Sequence, residues 1–502
     1  MRPAAAPASP LAIAELTRPP NSYQLLPFRW NRLEGRWILV NEAGEFLAVD
    51  GDTFHALVEH HLDPQSREYQ DLKAKQFLTD STSRVPLRLL ATKVRTKRSF
   101  LAGFTKLHIV VLTRRCDHSC LYCQVSSVRT ADPRLDMSRA TAERVIEFML
   151  RSPSPAIKIE FQGGEPLLNF DVLRFIVEET ERRTPDGKKV EFVVATNLSP
   201  LSEPILEFLR SHGIWISTSL DGPRSIHNAN RRLHEGDSYE RTVSGIERAR
   251  AALGHEGVSA LMTTTAFSLE HPEEIVDEYV ARGFRNIFLR PINPYGSAVR
   301  QRRALMYEPE QFVEFYKRAL DRIIEVNRSG YYLEECYAQI LYTKMLTPFP
   351  VGYVDLQSPA GAGIGVAVYN YDGAVYVSDE ARMLAEMGDT TFCLGSVHGN
   401  TYEEIFGGPL LRDLVAASCV ESLPGCSSCA FQAYCGANPV ENYRTQGDIH
   451  GHQPTSGFCR RNRSIIEHLL RLYLGNDPFI PKLVWSWIQR APIRELIPEP
   501  PL

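Results

Sequence analysis

From Leu107 to Arg290 the chain alternates short apolar strands with amphipathic helices, and this alternation constrains the fold more than any other feature. The pattern predicts strands at LHIVVL (107–112), IKIEF (157–161), EFVVAT (191–196), IWISTSL (214–220), VSALMTT (258–264) and RNIFLR (285–290). Between them, apolar residues recur three and four apart, as at Val145, Ile146 and Met149, or Val172, Phe175 and Ile176, which predicts helices. Two of these helices are expected to stop at Gly213 and Gly283. Six consecutive strand–helix units imply an α/β fold with a parallel sheet and right-handed crossovers, either an open doubly wound sheet or a barrel. Both arrangements put their sites at the C-terminal ends of the strands.

Around this core the 502 residues divide by composition. Residues 1–22, rich in Ala and Pro, are expected to form a disordered tail. Residues 23–100 form a small α+β unit, with turns at Glu34-Gly35 and Ala43-Gly44 and helices at Thr53 to His61 and Ser66 to Phe77. The strand–helix region spans 101–330 and ends in a long helix from Glu308 to about Asn327. Residues 331–475 carry a hairpin signature, GVAVYNYDGAVYVSDE (365–380), turning at Asp372-Gly373. Residues 476–502 are Pro-rich and expected to be a partly loose tail, docked by Trp485 and Trp487. A net charge of −4 argues against a surface for nucleic acid, which needs clustered Lys and Arg. No apolar run reaches the length of a membrane span, and no secretory signal is present, so a cytoplasmic protein is expected. In a reducing compartment the ten cysteines read as metal ligands or small hydrophobes rather than disulfides.

Two groups of cysteines carry the chemistry. Cys116, Cys120 and Cys123 form CxxxCxxC directly after the first parallel strand. Three thiolates there can hold three irons of a [4Fe-4S] cluster and leave the fourth open to a substrate or cofactor. Zinc completed by His118 or a more distant ligand is the competing reading. The second strand ends in Gln162, Gly163, Gly164 and Glu165, where glycines let the backbone approach a small ligand and a carboxylate suits an ammonium group. Cys426, Cys429 and Cys435, followed by Cys459, offer four thiolates, which close a site completely as structural zinc or an auxiliary [4Fe-4S] cluster. Cys336, Cys393 and Cys419 have no partner at metal-binding spacing and read as buried or incidental.

RCDHSCLYC (115–123) and GGEP (163–166) resemble the radical S-adenosylmethionine enzymes. That resemblance implies a partial (β/α)6 barrel of the TIM type over 101–330. It also implies an open iron that binds S-adenosylmethionine, from which reduction releases a 5′-deoxyadenosyl radical. Tyr122 matches the aromatic position beside the adenine; Ser219 and Asp221 match residues near the methionine carboxylate and ribose, and Arg231 a balancing charge, with Asn197 and Arg290 as weaker candidates. The second cysteine group, preceded by the hairpin, resembles the SPASM extension of peptide-modifying radical enzymes. Ala360, Ser378, and Asn438 or Pro439 stand where further SPASM cysteines are expected, which implies one auxiliary cluster rather than two. By the same resemblance Asp379 is a candidate proton acceptor. LLPFRW, CDHSCLYCQVS, IEFQGGEPLLNF, YNYDGAVYVSDEARMLAEMGD and SGFCRRN together resemble the His-Xaa-Ser system radical SAM maturase over about residues 22–475. This implies a ribosomally made precursor peptide as substrate, a second radical maturase as partner, and a flavodoxin or ferredoxin as low-potential electron donor. The unit at 23–79 resembles small domains that bind leader peptides at a sheet edge. A radical enzyme for another small-molecule or protein substrate, and a non-catalytic zinc protein, are the alternatives.

Overall fold

The computed structural model describes residues 23–80 and 84–495, so the tail expected at 1–22 lies outside the described residues. The N-terminal unit contains an antiparallel sheet of β1 (Phe28–Leu33), β2 (Arg36–Asn41) and β3 (Phe46–Val49), in that order. Glu34 and Gly35 both take positive φ, as a tight hairpin turn with right-handed strand twist requires. Helices Gly51–Val58 and Arg67–Ala74 close a core of Leu39, Phe54, Leu57, Leu72 and Phe77 over this sheet.

The central sheet contains β4 (Leu107–Val111), β5 (Ala156–Gln162), β6 (Lys189–Ala195), β7 (Trp215–Ser219), β8 (Val258–Thr264) and β9 (Leu289–Pro291). All six run parallel in chain order, each paired with the next, which makes the sheet a partial barrel wound in one direction. Strand periodicity sorts the residues of β4 between two cores: Val110 packs with the helices, while Ile109 and Val111 face a second cluster. Helix Arg139–Leu150 starts at Ser138, whose hydroxyl accepts from Thr141 N. Helices Glu203–Ser211 and Pro272–Ala281 run into Gly213 and Gly283, both at positive φ, as expected. The segment expected as one strand over 285–290 is divided: Asn286–Ile287 pairs with Glu334–Glu335, and only Leu289–Pro291 joins β8.

The hairpin does not stay within its own domain. β10 (Val366–Tyr369) pairs in parallel with β4, and β11 (Ala374–Tyr376) and β12 (Cys393–Ser396) continue antiparallel, giving a nine-stranded sheet. The edge strand of the barrel is thereby covered by residues about 260 positions later in the chain. Within residues 476–495 a helix stands where a partly loose tail was expected. Helix Phe479–Gln489 buries Trp487, whose Nε1 donates to Leu333 O at 3.0 Å. No helix among the described residues is long and apolar enough to cross a membrane.

Candidate functional site

The loop after β4 is held from three directions, and each hold places a cysteine. Gly164 N donates to Thr113 O and Glu165 N to Arg115 O, both at 2.8 Å, tying the loop to the end of β5. A Cβ on Gly163 would lie 2.5 Å from Thr113 O, and one on Gly164 would lie 2.3 Å from Arg115 O. The two glycines therefore permit backbone to pack on backbone, which seats Cys116 beside β5. The short strand His118–Cys120 pairs antiparallel with Arg231–Leu233, with Cys120 opposite Arg231. Cys123 O accepts from Ser297 N at 2.8 Å, from the loop that follows β9. The three thiols thus gather at the C-terminal edge of the barrel.

Two buried polar networks surround them. Glu165 is fully buried, and its carboxylate accepts from Leu167 N, Thr196 Oγ1 and Asn197 N at 3.0, 2.7 and 2.7 Å. Burial pushes this carboxyl up to about 7 against the pull of those three donors. This side chain joins the ends of β5 and β6. Asn197 reaches back to the loop, donating to Asp117 Oδ1 at 2.8 Å and lying 3.8 Å from Cys116 Sγ. On the other side, Tyr122 donates to Asp221 Oδ1 at 3.1 Å and accepts from Arg231 Nη1 at 2.8 Å. Burial pushes Asp221 up to about 6, opposed by the Arg231 guanidinium. Asp221 Oδ2 and Arg231 Nε are buried without a hydrogen-bond partner, so this corner retains polar capacity for a ligand. Gln162 turns aside, donating to Glu160 Oε1 at 2.8 Å, and Ser219 ends β7 half-buried.

The donor set offers three thiols, and His118 is not free to complete a closed zinc site. His118 is the nearest candidate for a fourth ligand, grouped with Cys116 and Asp117. Its Nδ1 is 3.0 Å from Asp117 Oδ1 and its Nε2 3.1 Å from Ser238 Oγ, so both ring nitrogens are already engaged. Burial raises the thiols of Cys116 and Cys120, the latter to about 11, so a cationic group is needed to hold them as thiolates.

Cys426, Cys429, Cys435 and Cys459 line one cavity. Burial and the neighbouring thiols push Cys426 up to about 11, and burial above all pushes Cys435 up to about 12. Cys459 sits in the first turn of helix Gly457–Leu474, its N–H taken by the Ser456 cap, and burial with the neighbouring Cys429 raises its thiol. The three positions that lack SPASM cysteines have structural occupants. Ser378 caps helix Asp379–Ala385 and Asn438 caps helix Pro439–Gln446, while Ala360 is buried with its N–H donating to Ser418 Oγ. Asp379 accepts from Nε of the buried Arg382 at 3.2 Å. Its neighbour Glu380, not singled out by the sequence, lines a cavity with Arg290 and Asp355 instead. Cys336, Cys393 and Cys419 are half-buried free thiols away from both groups.

The fold and the loop define an α/β protein that carries three thiols of one loop at the C-terminal edge of a parallel partial barrel. A model of the Radical SAM superfamily matches residues 110–289. The chain is 31% identical over 196 residues to an uncharacterized protein of Methanothermobacter thermautotrophicus, covering 37% of this chain and 68% of that one. It spans 62% of the length of an uncharacterized Methanocaldococcus jannaschii protein, 28% identical over 187 residues and 37% of this chain. A cysteine-type anaerobic sulfatase-maturating enzyme of Clostridium perfringens is 23% identical over 363 residues, 70% of this chain and 93% of that enzyme. Among solved structures, native anSMEcpe with bound AdoMet superposes with a TM-score of 0.60 at 18% identity, covering 75% of this chain and 99% of that one. Streptococcus suis SuiB bound to precursor peptide SuiA gives 0.53 at 13% identity, covering 87% and 99%. The chain belongs to the radical SAM superfamily and is related to the sulfatase-maturating enzymes.

Proposed function

We propose that this protein is a radical S-adenosylmethionine peptide maturase acting on a ribosomally made precursor of the His-Xaa-Ser type. The observation that carries this reading is the pairing of two thiol sites in one body: three thiols at the barrel edge and four lining a second cavity. When bound, an open [4Fe-4S] cluster with S-adenosylmethionine supplies one-electron chemistry that removes hydrogen from carbon. Cys116, Cys120 and Cys123 hold that cluster, and Cys426, Cys429, Cys435 and Cys459 hold one auxiliary [4Fe-4S] cluster able to accept an electron. Tyr122, Asp221 and Arg231 orient the cofactor with their buried polar atoms, while Glu165 and Asn197 fix the loop that presents the thiols. The precursor's leader binds the N-terminal sheet at an edge strand, where Trp30 of β1 is 51% exposed. A second radical maturase and a flavodoxin or ferredoxin complete the system in the cytoplasm, where ten free thiols stay reduced.

Anaerobic reconstitution tests this directly. About eight irons per chain are expected, falling to about four when Cys116, Cys120 and Cys123 become Ala or when the second group does. Only the first triple variant should abolish reductive cleavage of S-adenosylmethionine to 5′-deoxyadenosine. Bound zinc without iron, and no cleavage, would refute the reading. Co-expression with a precursor peptide followed by mass spectrometry should show a loss of two hydrogens per modification.

A further inference from the structure

Between the two thiol sites lies a cavity that neither uses. One wall is the end of β9 with Tyr295, one residue before Gly296 and two before Ser297, which donates to Cys123 O. Asn438 and Phe458 line both this cavity and the four-cysteine cavity. The remaining charged lining is Arg290, Asp355, Glu380, Glu441 and Arg461, contributed by the end of β9, the Val354–Leu356 turn and helices Asp379–Ala385, Pro439–Gln446 and Gly457–Leu474. Among the described residues, none of these five groups makes an ion pair within 4.0 Å. Such an arrangement is costly in a closed interior unless the groups face a ligand.

The acidic and basic groups are not matched one to one. Three carboxyl groups face two guanidiniums, and each guanidinium already lies over an aromatic ring: Arg290 Cζ is 5.7 Å from the Phe288 ring centroid and Arg461 Cζ 5.4 Å from that of Phe458. No carboxylate has a guanidinium to itself. Asp355 feels both Arg290 and Arg461 across the cavity, and Arg461 also acts on Glu441. Tyr295 adds an independent sign of a missing ligand, because the residue is 1% exposed and its hydroxyl is buried without a hydrogen-bond partner. Burial and the neighbouring Asp355 and Asp379 carboxylates push Glu380 up to about 8, so it holds a charge at neutral pH only when a cation stands beside it. A wider adjoining cavity of about 340 Å3 shares Glu441 and Arg461 but adds Arg302 and Arg444, so the surplus of carboxyl groups over guanidiniums is confined to the inner space.

We propose that this inner cavity receives a basic side chain of the substrate, with Glu380 and Asp355 as its carboxylate partners and the Tyr295 hydroxyl as a third polar contact. The proposal rests on the peptide-maturase reading and specifies which side-chain chemistry that site selects. A basic side chain held here lies between the open cluster's loop and the auxiliary thiols.

The test uses the reconstituted holoprotein and three probes titrated calorimetrically under anaerobic conditions: N-acetyl-lysine amide, N-acetyl-norleucine amide and N-acetyl-glutamate amide. The lysine probe should bind at least about tenfold more tightly than the norleucine probe, the scale of one charge-assisted hydrogen bond, and the glutamate probe more weakly still. Glu380→Gln should remove most of that preference, and Tyr295→Phe should weaken lysine binding by about threefold. The comparison among probes on the unaltered protein holds even if a variant folds poorly. Equal or tighter binding of the neutral or acidic probe, no binding of the lysine probe, or a lysine preference untouched by Glu380→Gln and Asp355→Asn would each overturn the proposal. Cleavage of S-adenosylmethionine by the unaltered holoprotein is measured separately: cleavage without charge preference sinks only the cavity assignment, whereas absent cleavage sinks the maturase reading.

Discussion

At Gly164 there is no room for a methyl group, since its Cβ would meet Arg115 O at 2.3 Å and Arg114 O at 2.7 Å, both rigid backbone atoms. Gly164→Ala should push the cysteine loop away from β5, at a cost of about 1–3 kcal/mol, and lower iron loading toward that of the Cys116→Ala variant. Gly399, where an added Cβ would meet nothing within 4 Å, is the matched position at which Ala should leave denaturation and iron content unchanged. A second residue-scale prediction concerns His108, buried on β4 with Nδ1 3.2 Å from Tyr369 Oη and Nε2 without a partner. Burial, helped by the Lys188 charge, depresses its pKa to about 3, against about 6.5 in the unfolded chain. The unfolded chain therefore binds a proton that the folded protein refuses. This stability is complete above about pH 6.5 and is lost as the pH falls toward 3, at up to about 1.4 kcal/mol per pH unit. Urea unfolding at about pH 7 and about pH 5 should show a shallower pH dependence for His108→Gln than for the parent chain; an unchanged slope would remove His108 from the account.

At the scale of elements, Glu165 ties the end of β5 to that of β6. Three donors converge on its two carboxylate oxygens, so Glu165→Gln turns an amide N–H toward a donor it cannot bond. A loss of about 1–3 kcal/mol is expected in denaturant unfolding, with a looser cysteine loop reported by faster amide exchange at Arg115 and Cys116. The motif GGEP was legible in the sequence, but its division of labour was not. Spacing located the two glycines and the acid beside the cysteines; only the packing shows that the glycines admit Thr113 and Arg115 and that the acid serves Thr196 and Asn197. Asp379 and Glu380 make the same point one residue apart. Their neighbourhood was readable from the hairpin, whereas the helical turn that pairs Asp379 with Arg382 and sends Glu380 into the cavity was not.

At the scale of the whole molecule, β10 completes the sheet that the first half of the chain begins. A chain ending at Gly330 would leave the backbone edge of β4 unpaired and expose Ile109 and Val111, which pack in one cluster with Val366 and Val368. Such a truncation is expected to aggregate on size-exclusion chromatography even though it retains all three loop cysteines; a monodisperse, iron-loaded product would show that the barrel stands without the hairpin.

Five of the six strands, their helices and the spacing of both cysteine groups were determined by the sequence itself, because strand and helix periods and ligand spacings are local properties of the chain; the sixth strand is divided by the pairing of Asn286–Ile287 with Glu334–Glu335. The tertiary structure alone decided that β10 joins β4, that helix Phe479–Gln489 docks through Trp487, and that Asp355, Glu380 and Glu441 meet Arg290 and Arg461 in one cavity. These arrangements join residues tens to hundreds of positions apart. No local period encodes which sheet edge stays open or which charges converge, since both depend on how finished elements pack.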